Sequence, residues 1–216
     1  MPPKLGYNTP KLNDQSTQES RAETRDRIIE AARTLFFQQG YVATGIAQIL
    51  KVSNANSGSL YYFFPSKEDL LAAVLEKYLT MLEPVVLKPA FECSDDPVER
   101  LFAVLGGYRQ LLQATDFRLG CPIGNLALEV SNNQPSVRRL IIQNFEAWCA
   151  AVRQMIVDAA DRFPPDIDAA ALATHVLASM EGAVMLARAY RSFEPFDQAV
   201  NQLKDYFNRL TQEKRK

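Results

Sequence analysis

The sequence predicts an all-α fold, and three observations predict it. Apolar residues recur at helical spacing along nearly the whole chain, no stretch alternates convincingly as a strand, and Pro, Gly and Asn turns separate the periodic segments. With 216 residues, 47% of them hydrophobic, the chain can bury one large core or pair a small domain with a larger one. The second arrangement is expected, with about nine helices.

Residues 1–19 contain Pro, Asn and Thr and almost no apolar periodicity, so they read as a flexible arm. Ser20-Arg21-Ala22-Glu23 has capping-box form, and Ile28, Ile29, Ala32, Leu35 and Phe36 then repeat at helical spacing up to Gly40, a good stop. Thr44 can cap a second helix, whose Ile46, Ile49 and Leu50 share one buried face. Ser53-Asn54 follows as a turn, Asn being the non-glycine residue best able to take φ > 0. Small polar residues fill the next first turn, Asn56-Ser57-Gly58-Ser59, with Leu60 as its aliphatic anchor.

Ser66 caps a fourth helix running to near Leu82, and Pro84 and Pro89 are expected to break the segment after it. Ser94-Asp95-Asp96-Pro97 opens the next helix with its acids at the positive end of the dipole, and Leu101 to Leu112 supplies a buried stripe. Four more segments run roughly from Ile123 to Val130, Pro135 to Phe163, Ile167 to Ser192 and Phe196 to Gln212. Asn132-Asn133, Pro164-Pro165 and Glu194-Pro195 punctuate them.

Composition excludes several classes. A net charge of −1 argues against a protein that coats nucleic acid, although a few phosphate contacts per subunit remain compatible. Lys4, Lys11, Arg21, Arg25, Arg27, Arg33, Lys51 and Lys67 polarise the charge mildly toward the N-terminal part. Cys93, Cys121 and Cys149 are widely spaced and odd in number, which fits a reducing cytoplasm better than a disulfide framework or a zinc site. No apolar run approaches the roughly 18 residues of a membrane span, and no signal-peptide core opens the chain. With a single His and no phosphate loop, no enzyme site or cofactor is called for.

The slim, polar start of the third helix suits the major groove, where a recognition helix presents its N-terminal residues to bases and phosphates while the preceding helix braces it. From Thr24 to Leu75 the chain resembles the N-terminal DNA-binding domain of the TetR/AcrR family of bacterial regulators. The landmarks are Ala31-Ala32, Leu35-Phe36, Gly40-Tyr41, Thr44, Ile49, Gly58-Ser59-Leu60-Tyr61, Phe64 and Ser66-Lys67-Glu68, in the family's order without a gap. The stretches around Gln48-Ile49-Leu50, Gly58 to Leu70 and Leu119 to Ser131 are similar to the LmrA/YxaF-type subgroup. Two positions depart from the pattern: Asn54 stands where Gly is usual, and Ser57 where a phosphate-pairing Lys is usual.

The resemblance implies a helix-turn-helix domain at 20–65 and a ligand-binding and dimerisation domain at 66–216. It implies a homodimeric, ligand-responsive repressor that binds a palindromic double-stranded DNA operator and is released by a small, apolar or aromatic effector. The matching DNA-contact positions are Thr44, Asn56, Ser57, Ser59, Tyr61, Tyr62 and Lys67, with Asn56 able to read an adenine edge. For the effector cavity the aromatic and Met excess of the C-terminal half offers Tyr108, Phe117, Trp148 and Met155, which otherwise read as core.

His175 reads as a packing or interface residue. Cys121 precedes a helix N-terminus, which lowers a thiol pKa, so a thiol-sensing regulator is an alternative; burial would make the same thiol inert. A ligand-binding protein without repressor function is the other. The slim Ala-rich helix at 169–187 and the stripe Val200, Leu203, Phe207 and Leu210 are expected to pair two subunits.

Overall fold

The computed structural model describes residues 12–130 and 135–213, with side chains placed from 21 to 130 and from 135 to 211. Every regular element among them is helical. The chain opens with α1 (Leu12–Gln39), α2 (Ile46–Ser53), α3 (Ser57–Phe63) and α4 (Lys67–Met81). A π-helical turn, Leu82–Leu87, leads into α5 (Lys88–Cys93). Then come α6 (Pro97–Ala114), α7 (Pro122–Val130), α8 (Pro135–Asp158), α9 (Ala169–Tyr190) and α10 (Glu194–Glu213).

Several boundaries differ from expectation for local reasons. α1 starts at Leu12, so Ser20 lies inside the helix and its capping-box pattern marks no start. Part of the expected arm is therefore helical, while residues 1–11 lie outside the described residues, as does Asn132-Asn133. The additional helix, α5, exists because neither proline breaks the chain. Pro84 falls in the wider π turn, and Pro89 in the first turn of α5, where a missing N–H leaves no bond unmade. α8 ends at Asp158, and a 3-10 turn at Ala160–Arg162 carries the chain to the fully buried Phe163. Asp96 caps α6 as expected, accepting from the N–H groups of Val98 and Glu99.

Two hydrophobic cores result. The first joins Ile28, Ala32 and Phe36 of α1, Ile49 of α2, Leu60 of α3 and Leu70, Leu71 and Val74 of α4 to Ile123, Leu126 and Val130 of α7 and to Val137 and Ile141 at the start of α8. The second is built from α6, the rest of α8, α9 and α10, and Tyr108 packs against both. The small N-terminal helices therefore do not close on themselves; α7 completes their core.

α9 is the one helix among the described residues long and apolar enough to cross a bilayer, with a mean hydropathy of 1.4. It sits instead as a core helix, burying Leu172, Val176, Met180, Val184 and Ala187. On α10 the stripe expected at a subunit interface turns inward, with Leu203 and Phe207 in the second core and Val200 and Leu210 packed against it. The exposed face of the α9–α10 pair carries Met185, Leu186, Tyr190 and Tyr206 instead.

Candidate nucleic-acid interface and ligand cavity

α3 is seven residues long and cannot persist alone. Its fully buried Leu60 contributes about 2 kcal/mol of hydrophobic anchorage. Its cap is Asn56, whose Oδ1 accepts from the Ser59 N–H at 2.8 Å and contributes about 1 kcal/mol. A Cβ at Gly58 would stand 3.2 Å from that oxygen, so a residue without one leaves the cap undisturbed. The cap holds Asn56 in one rotamer and occupies one of the two lone pairs of its Oδ1, so an adenine contact by this side chain would have to be made from the capped position.

α2 is entered through Gly45, whose N–H donates to Gln48 Oε1 at 2.9 Å. Thr44 is not the cap. It is 1% exposed, donates its hydroxyl to the Gly40 carbonyl at 2.7 Å and accepts from Gln39 Nε2 at 3.1 Å. It ties the end of α1 to the start of α2 and has no side-chain surface for a phosphate. Asn54 takes φ 50°, as expected, and its N–H reaches the Leu50 carbonyl, leaving Asn54, Ala55 and Asn56 between the helices.

Ser57, Tyr61 and Tyr62 are exposed and Ser59 is half-buried, so these four expected positions do share the outer face of α3. Lys67 points elsewhere: its Nζ donates to the Tyr41 carbonyl at 2.5 Å and lies 4.2 Å from the centre of the Tyr41 ring. Burial pulls its pKa down against the opposing charge of Glu129. The cation beside α3 is Arg21 of α1, its guanidinium 6.0 Å from the centre of the Tyr62 ring. Arg21, Thr24, Asn56, Gly58, Ser59 and Tyr62 line one open groove of about 530 Å³. The sequence places Arg21 in the capping box at the start of the first helix and counts it among the basic residues, without a role at α3; in the structure it lies within α1, beside Tyr62.

Behind this head lies an apolar cavity of about 220 Å³ at the junction of the two cores. Arg33 and Phe37 of α1, Tyr78 and Met81 of α4, Tyr108 of α6, Cys121 before α7, Trp148 of α8 and Glu181 of α9 are in its wall. A larger cleft of about 740 Å³ between α1 and α4 is open and lined mainly by charged side chains, which suits solvent rather than an apolar guest. Of the four expected wall residues, Tyr108 and Trp148 line this cavity. Phe117 and Met155 do not: Phe117 takes φ 56° and packs at a tilt against Phe193 with ring centres 4.6 Å apart, and Met155 is 2% exposed in the second core.

Among the described residues, three buried polar atoms have no partner within strict hydrogen-bond geometry, the Tyr78 hydroxyl, Trp148 Nε1 and Glu181 Oε1, although each side chain interacts with a neighbour: Tyr78 with Arg33, Trp148 with Tyr108, and Glu181 with the Cys121 thiol. All three side chains line this one cavity. Their convergence gives the apolar wall a few polar groups whose hydrogen-bonding capacity is only partly used by neighbouring side chains. Desolvation raises the pKa of the Glu181 carboxyl, and that of Tyr78 to about 12. Glu181 is the lone acid in the apolar sequence of α9, a signal that was available from the sequence.

Cys121 is 6% exposed, and its thiol pKa lies well above the usual value. Burial is the main cause and the Glu181 charge the next; the N–H groups of Ile123 and Gly124 pull the other way and lose. This overturns the expectation of a lowered pKa and removes the basis for thiolate sensing at this position. His175 is exposed on α9, its ring edge-on to Tyr206 at 6.0 Å.

Residues 28–74 match the model for bacterial regulatory proteins of the tetR family, and residues 97–202 that for the C-terminal domain of LmrA/YxaF-like transcriptional regulators. The chain is 31% identical to the HTH-type transcriptional regulator LmrA of Bacillus subtilis, over 82% of this chain and 92% of LmrA. It is 30% identical to YxaF of the same organism, over 82% of this chain and 91% of YxaF. The crystal structure of a TetR transcriptional regulator from Chloroflexus aurantiacus superposes with a TM-score of 0.76 at 29% identity, covering 88% of this chain and 96% of that one. Such regulators are characteristically non-enzymatic and generally bind DNA as homodimers. The chain belongs to the TetR family of ligand-responsive, helix-turn-helix DNA-binding regulators, and its C-terminal domain is of the LmrA/YxaF-like type.

Proposed function

We propose that the protein is a homodimeric repressor whose two α3 helices hold a palindromic operator, and that an apolar or aromatic effector entering the cavity releases it. The observation that carries this reading is the composition of the cavity wall. Residues of α1, the helix on which α2 and α3 pack, and of α4, which packs on α1, form one side of it, so an occupant bears on the mounting of the reading head. Ser57, Ser59, Tyr61 and Tyr62 would meet the DNA, with Arg21 supplying the charge that Ser57 does not. The Tyr78 hydroxyl, Trp148 Nε1 and the Glu181 carboxyl would orient an effector that is mostly apolar but carries hydroxyl or carbonyl groups.

Dimerisation would use the exposed side of α9, where Ala171, Ala178 and Met185 are open and a Cβ added at Gly182 would meet nothing within 4 Å, so two backbones can approach closely. Isologous pairing there gives the two-fold symmetry a palindrome requires. An effector must bind the DNA-incompetent dimer more tightly, and a coupling of about 1–3 kcal/mol corresponds to a release of roughly 5- to 150-fold. A thermal-shift screen of neutral aromatic compounds, followed by DNA-binding titration with each hit, tests the reading. Hits that raise Tm and weaken operator binding support it; hits that raise Tm and leave operator binding unchanged overturn the release mechanism.

A further inference from the structure

Among the described residues, α7 and α8 take part both in the cavity and in the core of the reading unit without belonging to the N-terminal run of helices, and α7 also holds the turn that starts α2. At its start, Cys121, Pro122 and Ile123 form cavity wall. Near its end, the two carboxylate oxygens of Glu129 accept from successive backbone N–H groups, Tyr41 at 2.9 Å and Val42 at 2.6 Å. These N–H groups belong to the turn between α1 and α2, some 87 residues away in sequence.

That turn is shaped to receive the carboxylate. Gly40 takes φ +88°, and a Cβ there would stand 3.2 Å from both Glu129 oxygens. From the other side, Lys67 donates to the Tyr41 carbonyl, and Thr44 donates to that of Gly40. The turn is thus gripped by one acid and one cation, and it fixes where α2 starts and so where α3 is presented. α7 is short and stiff: Pro122 and Glu129 are about 10 Å apart along the axis at helical rise. The Glu181 carboxyl group lies close against its first turn, where a Cβ on Gly124 would meet it.

We propose that Glu129 is a positioning residue that couples the cavity wall to the α1–α2 turn, so that an occupant displacing the start of α7 loosens the mounting of α2 and α3. Two charge-assisted bonds lengthened by about 1 Å fall outside hydrogen-bond geometry, so a small displacement is enough. The consequence for gene control rests on the effector-released reading above; the coupling itself can be measured without DNA or effector.

The experiment is amide hydrogen exchange at Tyr41 and Val42 in four forms: wild type, Glu129→Ala, the cavity-wall variant Ile123→Phe, and the double variant. Glu129→Ala should speed the Val42 amide by about tenfold or more, since Val42 is 71% exposed and would have only water to turn to, and the amide of the buried Tyr41 by less. Glu129→Gln, with one acceptor instead of two, should fall between. Ile123→Phe, pressing on α7 from the cavity, should speed the same two amides at least about threefold in the Glu129 background and not further in the Glu129→Ala background, the non-additivity of a shared path. If Ile123→Phe does not fold, Cys121→Leu presses on the same wall. Wild-type exchange rates in Glu129→Ala, or additive effects in the double variant, overturn the proposal. If the amides respond as stated while no form binds DNA, the coupling stands and the repressor reading falls.

Discussion

The reading head and the cavity treat polar groups in opposite ways. In the head, the buried Thr44 hydroxyl has both a donor and an acceptor, Asn56 and Ser66 cap their helices, and the turn amides of Tyr41 and Val42 are held by Glu129. In the cavity, a phenol, an indole N–H and a carboxyl oxygen are left without well-formed hydrogen bonds within one apolar wall. A region whose polar groups are all satisfied internally holds one shape. A region that leaves them unsatisfied lowers its own stability and recovers it when a guest supplies partners. The contrast assigns shape to the head and responsiveness to the cavity, with α1, α4 and α7 common to both.

The sharpest break of this contrast is on the head. Replacing Arg21 and Tyr62 together by Ala removes the cation and the aromatic donor at the edge of α3, and duplex binding should weaken by about 100-fold. Circular dichroism and sedimentation should be unchanged, because both side chains are exposed. A loss below about threefold, measured by fluorescence anisotropy at low salt, would place the DNA elsewhere.

The cysteines give the next largest effect. Iodoacetamide at pH 8 should modify the exposed Cys93 readily and Cys121 at least about tenfold more slowly, since burial holds the Cys121 thiol protonated. Peptide mass mapping over time reads the difference; equal rates would return the thiol to solvent and revive a redox role.

A smaller effect tests the cost of burying the Glu181 carboxyl. The folded state raises the pKa of Glu181 above its ordinary 4.5, so the fold favours the protonated acid. Its stability is therefore fullest below that value and is lost as pH rises through the raised pKa. Glu181→Gln removes the charge while keeping the shape. Relative to wild type it should raise Tm by roughly 2–4 °C at pH 8 and by little at pH 4. A variant less stable than wild type at pH 8 would mean the carboxylate has a partner.

Much of the head could be read from the sequence because its signals are local. Asn54 at a positive φ, Leu60 as the anchor and Ser66 as a cap each follow from a few neighbouring residues, and all are in place. Thr44 shows the limit: a Thr just before a helix looks like a cap, but Gly45 intervenes and the hydroxyl turns back to α1. The cavity was less legible because helical spacing says which side of a helix is buried, not whether the space opposite is filled. Phe117 and Met155 are as apolar as Tyr108 and Trp148, and only packing sorts them. Glu129 gave no local signal, as its partners are nearly ninety residues away.

The central claim, a dimer that reads a two-fold site through α3 and yields it when the cavity fills, is tested most directly by footprinting on the DNA upstream of the protein's own gene, with and without a neutral aromatic hit from the thermal-shift screen. Two symmetric protected half-sites about one helical turn apart, fading as the compound is added, are the predicted result. No protected palindrome at low salt, or a footprint indifferent to a compound that raises Tm, would contradict it.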